Sequence, residues 1–392
     1  MRILITNHRL AERTGTEIFT GELALELRAR GHEIAVLTWE EGMGAEALEA
    51  ADIPVATHPG QLPWAPDLIH GQHHLTVMAA LAAFPGVPAL FHCHGYAPWE
   101  EQPPRHPRIL AYVGTAERMR PWLGRQTGAP PERVHVVENG VNLVRFKGRS
   151  LPLPKTPRRA LLFDNYAKEG KEVELLRSVC RNRGMDLDLA GRESERPLAD
   201  PESVLPGYDL VFAVGRSALE AAASGCSVVI LNTAGLGGHV TGETLPAWRK
   251  INFTVPYEAP PLTAEALRNC LDTYDAKIAG ETAKLVREEM NLSRMVDKLE
   301  GLYRGLLVEP RPAEDLRAEL AAAAEYMATL GPYVCEKDAR FTRLRRDRDR
   351  AKRVLAEYKQ RTAESRSVAN NVESKGLINR ILHALRGNGH RG

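Results

Sequence analysis

Short apolar runs alternating with helical patterns fill the first three quarters of the chain. Ile3 to Thr6 reads as a buried strand, followed by a polar loop with Gly15 and a helical pattern through Ile18, Leu23, Leu27 and Ala29. Gly31-His32 stops that helix, and Ile34-Ala35-Val36-Leu37 reads as the second strand. Strand, helix, stop and strand in this order make a βαβ unit, which predicts a parallel sheet. The runs Leu68-Ile69-His70, Ala89 to His92, Ile109 to Val113 and Val134 to Val137 extend it. Residues 1–150 are therefore expected to form a doubly wound, Rossmann-like α/β domain.

From Gly148 to Arg159 the alternation breaks, with prolines at 152, 154 and 157 among basic residues. Such a stretch usually connects domains. It restarts with Ala160 to Phe163, a helix from Val173 to Cys180, and Leu187 to Ala190. Asp209 to Ala213, a helix from Ser217 to Ser224, and Ser227 to Leu231 follow. A second Rossmann-like domain over 157–310 is predicted, facing the first across a cleft. Residues 311–392 read as charged, alanine-rich helix with an interruption at Gly331-Pro332. There Phe341, Leu344, Arg348, Ala351, Leu355, Tyr358 and Thr362 recur at alternating spacings of three and four, as in a heptad seam. Self-association through these helices is one reading, and packing on the chain's own body is the other. Leu377, Ile378, Ile381, Leu382 and Leu385, with Arg380 and Arg386, read as a basic amphipathic helix for a membrane surface or for protein.

Charge sharpens this division. Residues 311–392 carry 18 basic and 11 acidic side chains, whereas 1–310 carry 34 and 39. The basic tail suits an acidic partner such as anionic lipid; no nucleic acid is expected. The five cysteines lack metal or disulfide spacing, which argues for a reducing compartment. Met1 runs straight into a strand, and no apolar run is long enough to span a bilayer. The expected location is cytoplasmic, with a peripheral place at an inner membrane if the tail binds lipid.

Chemistry concentrates in the second domain. A strand ending near Ala213 delivers the chain to Gly215, where the backbone can turn tightly beside a ligand. The helix beginning near Ser217 aims free N–H groups at the same spot, which attracts phosphate. Arg216 adds a cation there. Glu220, one turn in, can accept hydrogen bonds from ribose hydroxyls; the alternative is a solvated first-turn glutamate that suits the dipole.

This stretch resembles the C-terminal domain of the retaining GT-B glycosyltransferases of bacteria, of the glycosyltransferase family 4 type. The matching residues are Leu219-Glu220-Ala221-Ala222-Ala223-Ser224-Gly225-Cys226-Ser227-Val228-Val229, then Gly235-Leu236-Gly237-Gly238. Three further segments look like family motifs in the family's order. They are Gly15-Thr16-Glu17, Arg30-Gly31-His32-Glu33-Ile34, and Val136-Val137-Glu138-Asn139-Gly140-Val141-Asn142 with Phe146. The resemblance spans about residues 1–305. It implies a GT-B fold with Glu220 on the nucleotide ribose, a loop at Gly237-Gly238 near the donor, and Gly15-Thr16 approaching donor phosphate. It also implies that a histidine after the fourth long strand faces the donor sugar. His94, followed by Gly95, is the better candidate, with His92 expected to point the other way. His70, His73 and His74 read as polar residues of a connecting loop.

Two family features are missing. Eight residues before Glu220 stands Phe212 where the family often has a first glutamate. After the first strand of the second domain, Asp164 to Lys171 offers Lys168 or Lys171 for the diphosphate but no arginine; Arg192 or Arg216 is the candidate replacement.

What the resemblance implies is a metal-independent hexosyltransferase acting with retention and requiring no cofactor. His94, Lys171 and Arg216 would be its catalytic residues, and Gly15, Thr16, Gly215, Ser217, Glu220, Gly237 and Gly238 would bind the donor. That donor would be a UDP- or GDP-sugar, and the acceptor a glycan or lipid-linked species in surface polysaccharide or glycoconjugate synthesis. A nucleotide-sugar epimerase, or a non-catalytic homologue that binds a glycan or protein, are the alternatives.

Overall fold

The computed structural model describes residues 1–387 apart from 13, 192–193, 195–197, 199, 233–234 and 309–314. Met1–Ala322 forms one compact unit and Ala323–Gly392 a second. The first unit holds two large sheets and a two-stranded one that pairs Arg9–Leu10 with Glu40–Glu41.

Seven strands make the first sheet, in spatial order Val55–Ala56, Glu33–Leu37, Arg2–Thr6, Leu68–Gly71, Ala89–Cys93, Ile109–Gly114 and Val134–Val136. Every pairing is parallel. In chain order this is 3-2-1-4-5-6-7, so the connections reverse direction between Arg2–Thr6 and Leu68–Gly71. Ligands of open α/β sheets bind at the carboxyl ends of the strands beside such a reversal. The strands are legible because helices cover both faces: Ile3, Leu4 and Ile5 are all fully buried, giving a continuous apolar run.

The second sheet runs Asp186–Ala190, Arg159–Phe163, Leu210–Ala213, Ser227–Asn232 and Gly235–His239, an order of 2-1-3-4-5. Its last strand is antiparallel. Here the predicted glycine-rich loop proves to be an edge strand, with Gly238 opposite Ile230. Gly237 has a packing reason to lack a side chain, since a Cβ would lie 2.9 Å from the Trp248 ring.

Two strands of chain link these domains side by side. Val141 N–H donates to Met290 O and Leu292 N–H to Val141 O, each at 2.8 Å. A Cβ on Gly140 would meet Asn291 O at 2.7 Å, so the glycine of the Asn139-Gly140-Val141 motif lets the two crossings touch. The proline-rich linker is tied down: Arg149 donates to Tyr208 O at 2.9 Å, and its backbone N–H to Ser224 O at 3.0 Å.

Two further sequence expectations are corrected. The helix Leu292–Val308 lies within the predicted second domain, yet its Leu292, Met295, Val296, Leu299, Tyr303 and Leu306 pack in the first domain's core. Arg30 fastens it through Asp297 at 2.6 Å and Glu300 at 3.0 Å. Its apolar face reads equally well for either sheet, and only the return crossing beside Gly140 decides which it covers. Gly331-Pro332 does not break the C-terminal helix, which runs Leu316–Gly387 with Pro332 inside. Proline forfeits one N–H and crowds the carbonyl four residues back. Gly331 before it has no Cβ to clash, and the surrounding helix is largely exposed, so the carbonyl that loses its partner is open to solvent. The side chains of the predicted terminal amphipathic face, Leu377 to Arg386, lie outside the described residues. No described helix is long and apolar enough to cross a membrane.

Candidate functional site

The carboxyl ends of both sheets supply polar side chains at their reversal points. In the first domain Asn7, Gln72 and His94 each follow a strand directly. Gln72 is fully buried and bonded on every side. Its Oε1 accepts from His94 Nε2 at 3.0 Å, and its Nε2 donates to Thr20 Oγ1, also at 3.0 Å. Asn7 Nδ2 donates to the same hydroxyl at 2.8 Å and to Thr16 O at 3.1 Å. Thr16 thus enters through its carbonyl, and the helix Gly15–Ala29 is docked on the strand ends. A Cβ on Gly15 would meet nothing, which leaves open space at that helix start.

His94 is held from two further sides. Its backbone N–H donates to Glu101 Oε2 at 2.7 Å, and Phe19 stands edge-on to its ring at 4.5 Å between centroids. Burial, then the His92 ring, push its pKa down to about 3; Glu101 opposes, and Arg216 adds to the lowering from the second domain. At neutral pH it is an uncharged ring whose Nε2–H is committed to Gln72. The buried Glu101 carboxyl also faces His73 Nε2 at 3.5 Å. Burial works to raise that carboxyl, but the hydrogen bond from His73 and the nearby His94 hold it below its ordinary value. His73 itself sits at φ 58, a left-handed conformation that costs a non-glycine residue energy and clusters at working sites.

His70, His73 and His74 are therefore buried parts of this framework, not loop residues. His92 is corrected as well. Its ring stacks on His94 at 4.6 Å and 18°, because residues two apart in a strand share a face. Neither of its ring nitrogens has a hydrogen-bond partner, and His70 Nδ1 lies 2.7 Å from Tyr303 Oη. The His-x-His spacing reflects stacking.

In the second domain the helix Gly215–Ala223 begins at the reversal point. Gly215 takes φ 58 and donates its N–H to Phe253 O at 2.8 Å. Asn252 and Phe253 are both left-handed, and Asn252 Oδ1 accepts from Asn139 Nδ2 of the first domain at 3.0 Å. Ser217 is half-buried in the first turn.

Arg216 and Glu220, four apart on this helix, form a buried pair: Nε donates to Oε1 at 2.6 Å. Arg216 reaches further, donating through Nη2 to Glu22 Oε2 of the first domain. The other oxygen of Glu22 accepts from Arg145 Nη1 at 2.8 Å, and Arg145 closes a bidentate pair with Glu202 at 2.9 and 3.2 Å. Three carboxylates and two guanidiniums thus alternate across the domain boundary. Burial raises Glu220's carboxyl against the pull of Arg216. Burial disfavours the Arg216 charge too, but Glu220 and Glu22 outweigh it and raise the guanidinium's pKa.

Of the predicted site residues, the structure brings Arg216, Glu220, Gly215 and Ser217 together on one helix start, with His94 within electrostatic reach. Glu220 is no solvated first-turn glutamate, being 7% exposed at the side chain. Lys168 and Lys171 are exposed at the start of the helix Lys171–Arg181, and no contact among the described residues joins either to the Arg216–Glu220 pair. Arg192 lies outside the described residues. Gly237 and Gly238 stand on the edge strand.

Sequence reasoning missed Glu22, Arg145, Gln72 and Glu101. A signal existed for Glu22, a charge on the apolar arc between Phe19 and Leu23, where an unpaired carboxylate is not tolerated.

Residues 13–145 match the model of Glycosyltransferase Family 4. No curated protein matches the chain in sequence. Among solved structures, a glycosyltransferase from Rickettsia africae superimposes with a TM-score of 0.56 at 15% identity, covering 79% of this chain and 99% of that one. HepE from Anabaena, in complex with UDP, gives 0.56 at 15%, covering 78% and 100%. Sucrose-phosphate synthase from Thermosynechococcus elongatus gives 0.52 at 15%, covering 79% and 100%. The fold is GT-B: two Rossmann-like domains, with a helical C-terminal region.

Proposed function

We propose that the chain is a glycosyltransferase that moves a sugar from a nucleotide-sugar donor to a glycan or lipid-linked acceptor, with retention. The observation that carries this reading is the Arg216–Glu220 pair at the start of the helix Gly215–Ala223, beside His94 of the other domain in a GT-B fold. Transfer is limited by charge gathering on the leaving diphosphate, and preorganised donors lower that barrier. Free N–H groups at the helix start and the Arg216 guanidinium are such donors, and the exposed Lys171 is a second cation for the diphosphate. Glu220 would accept from the ribose. His94, with Nε2–H on Gln72, keeps Nδ1 as the acceptor for a sugar hydroxyl.

The bond from the anomeric carbon to phosphate breaks while a bond to the acceptor oxygen forms on the same face. The acceptor's proton passes to the departing phosphate oxygen, so the chemistry needs no enzyme nucleophile and no metal. Solved HepE structures hold UDP or UDP-glucose, which favours a UDP-sugar over a GDP-sugar here. The setting this reading implies is surface polysaccharide or glycoconjugate synthesis, on the cytoplasmic side of a membrane.

Donor binding has a cost in this structure, because Glu22 already holds Arg216. A phosphate competes with that carboxylate for the guanidinium, so Glu22→Gln should tighten donor binding about ten-fold, as one competing charge contact is worth that much. Calorimetric titration of the variant checks this; weaker binding would mean that Glu22 instead orders Arg216 for the donor.

The same contact favours a second reading, a non-catalytic homologue whose cleft is held shut by ion pairs. Acceptor-dependent release of nucleoside diphosphate from a panel of nucleotide sugars separates the readings. Turnover that rises with acceptor supports transfer, conversion of the sugar without acceptor indicates an epimerase, and no turnover favours the binding protein.

A further inference from the structure

The helix Leu316–Gly387 carries an apolar face that nothing among the described residues covers: Phe341 is 65% exposed, Leu344 57%, Leu355 52% and Tyr358 68%. The seam extends back through Val334, Leu330 and Met327 at the same alternating spacing. A period of three and a half residues is matched only by another helix with the same period.

We propose that this face pairs antiparallel with the same face of a second copy of the chain, Phe341 lying on the partner's Leu344. Charge on the two flanks selects that arrangement. One flank carries Arg340 and Asp347, the other Asp338 and Arg345. In a parallel, in-register pair, opposite flanks meet, and Arg340 faces the partner's Arg345. In the antiparallel pair each flank meets its own kind: Arg340 faces the partner's Asp347, and Asp338 faces the partner's Arg345. Each contact occurs twice by symmetry, and flanking charges of this kind set helix orientation. A slip by one heptad in either direction sets Asp347 against the partner's Asp347 or Arg340 against the partner's Arg340. The register is therefore specified as well as the direction.

The seam layers agree. Val334 meets the partner's Ala351, Leu330 the partner's Leu355, and Met327 the partner's Tyr358. One layer is charged, with Arg348 opposite the partner's Lys337. Both heads already turn out of the seam: Arg348 bonds Asp349 at 2.8 Å, and Lys337 Nζ lies over the Tyr333 ring at 4.8 Å. Their stems can cover the seam while the charges stay in water.

Sedimentation equilibrium of the full chain tests the proposal. The wild type should sediment as a dimer, and Leu344→Asp as a monomer with unchanged helix content by circular dichroism. Arg340→Glu should raise the dimer dissociation constant about ten-fold, from two attractions turned into repulsions, and adding Asp347→Arg should restore it. A tighter Arg340→Glu dimer would show parallel pairing and overturn the proposal. So would an Arg340→Glu dimer of unchanged affinity, a dimer that survives Leu344→Asp, or a wild-type monomer that binds only anionic vesicles.

Discussion

Arg216→Met should destabilise the folded chain by about 3 kcal/mol or more and abolish nucleotide binding. The cost follows from what remains: the side chains of Glu22 and Glu220 are 6% and 7% exposed, and each would lose its shared cation. Removing one member of a buried ion network typically costs about 3–5 kcal/mol, mostly for the charges left behind. Because Glu22 stands on the first domain and Arg216 on the second, the loss should fall on their docking. Urea denaturation measures it. Glu22→Gln in the same chain should recover part of the loss, since the two residues act on one contact. An Arg216→Met chain as stable as the wild type would mean that the pair contributes nothing to closure.

Acid should weaken the protein well above the pH at which carboxylates titrate. His70 and His92 are both fully buried, burial pushing His70 down to about 3 and His92 well below its ordinary value. In the unfolded chain each would titrate near 6.5. Their folded pKa is the lower one, so the unfolded state binds more protons between about pH 6.5 and 3, and stability falls as the pH falls through that window. His70 alone accounts for about 2 kcal/mol between pH 7 and 5. Glu101 and Glu300 also have depressed values, but their loss begins only below the ordinary carboxyl range. Glu17 and Glu220, both raised by burial, act in the opposite direction. Denaturation midpoints at the two pH values check the prediction, with His70→Asn expected to flatten the slope. A stability that does not change between pH 7 and 5 would contradict it.

The fold was readable wherever burial is uniform. Ile3-Leu4-Ile5 and Val228-Val229-Ile230 announce parallel strands because both their faces are covered, and glycine or proline bounds the runs. The Arg216–Glu220 pair was half readable, since four residues apart on a helix means neighbours. What the spacing cannot show is a partner on another element. Glu22 lies 194 positions from Arg216 and 123 from Arg145, and nothing local marks the three as one network. The same limit explains the helix Leu292–Val308, whose destination depends on a crossing made elsewhere. His92 is a different case. Its stacking on His94 follows from strand periodicity and was legible, so the expectation that it pointed away misapplied the period. Pro332 was misread through local propensity, a proline suggesting a break that the exposed helix accommodates, whereas the loop expected at Gly237-Gly238 came from the family resemblance and is an edge strand here.

The Arg216–Glu220 end of the second sheet is expected to bind a nucleotide-sugar. Isothermal titration of the full chain with UDP, GDP and their glucose conjugates, alongside Glu220→Ala, tests it most directly. We expect saturable binding of one nucleotide family, strongest for UDP, weakened at least about ten-fold in Glu220→Ala by loss of the ribose contact. Absence of binding at millimolar ligand to a folded chain, or equal affinity in the variant, would contradict it.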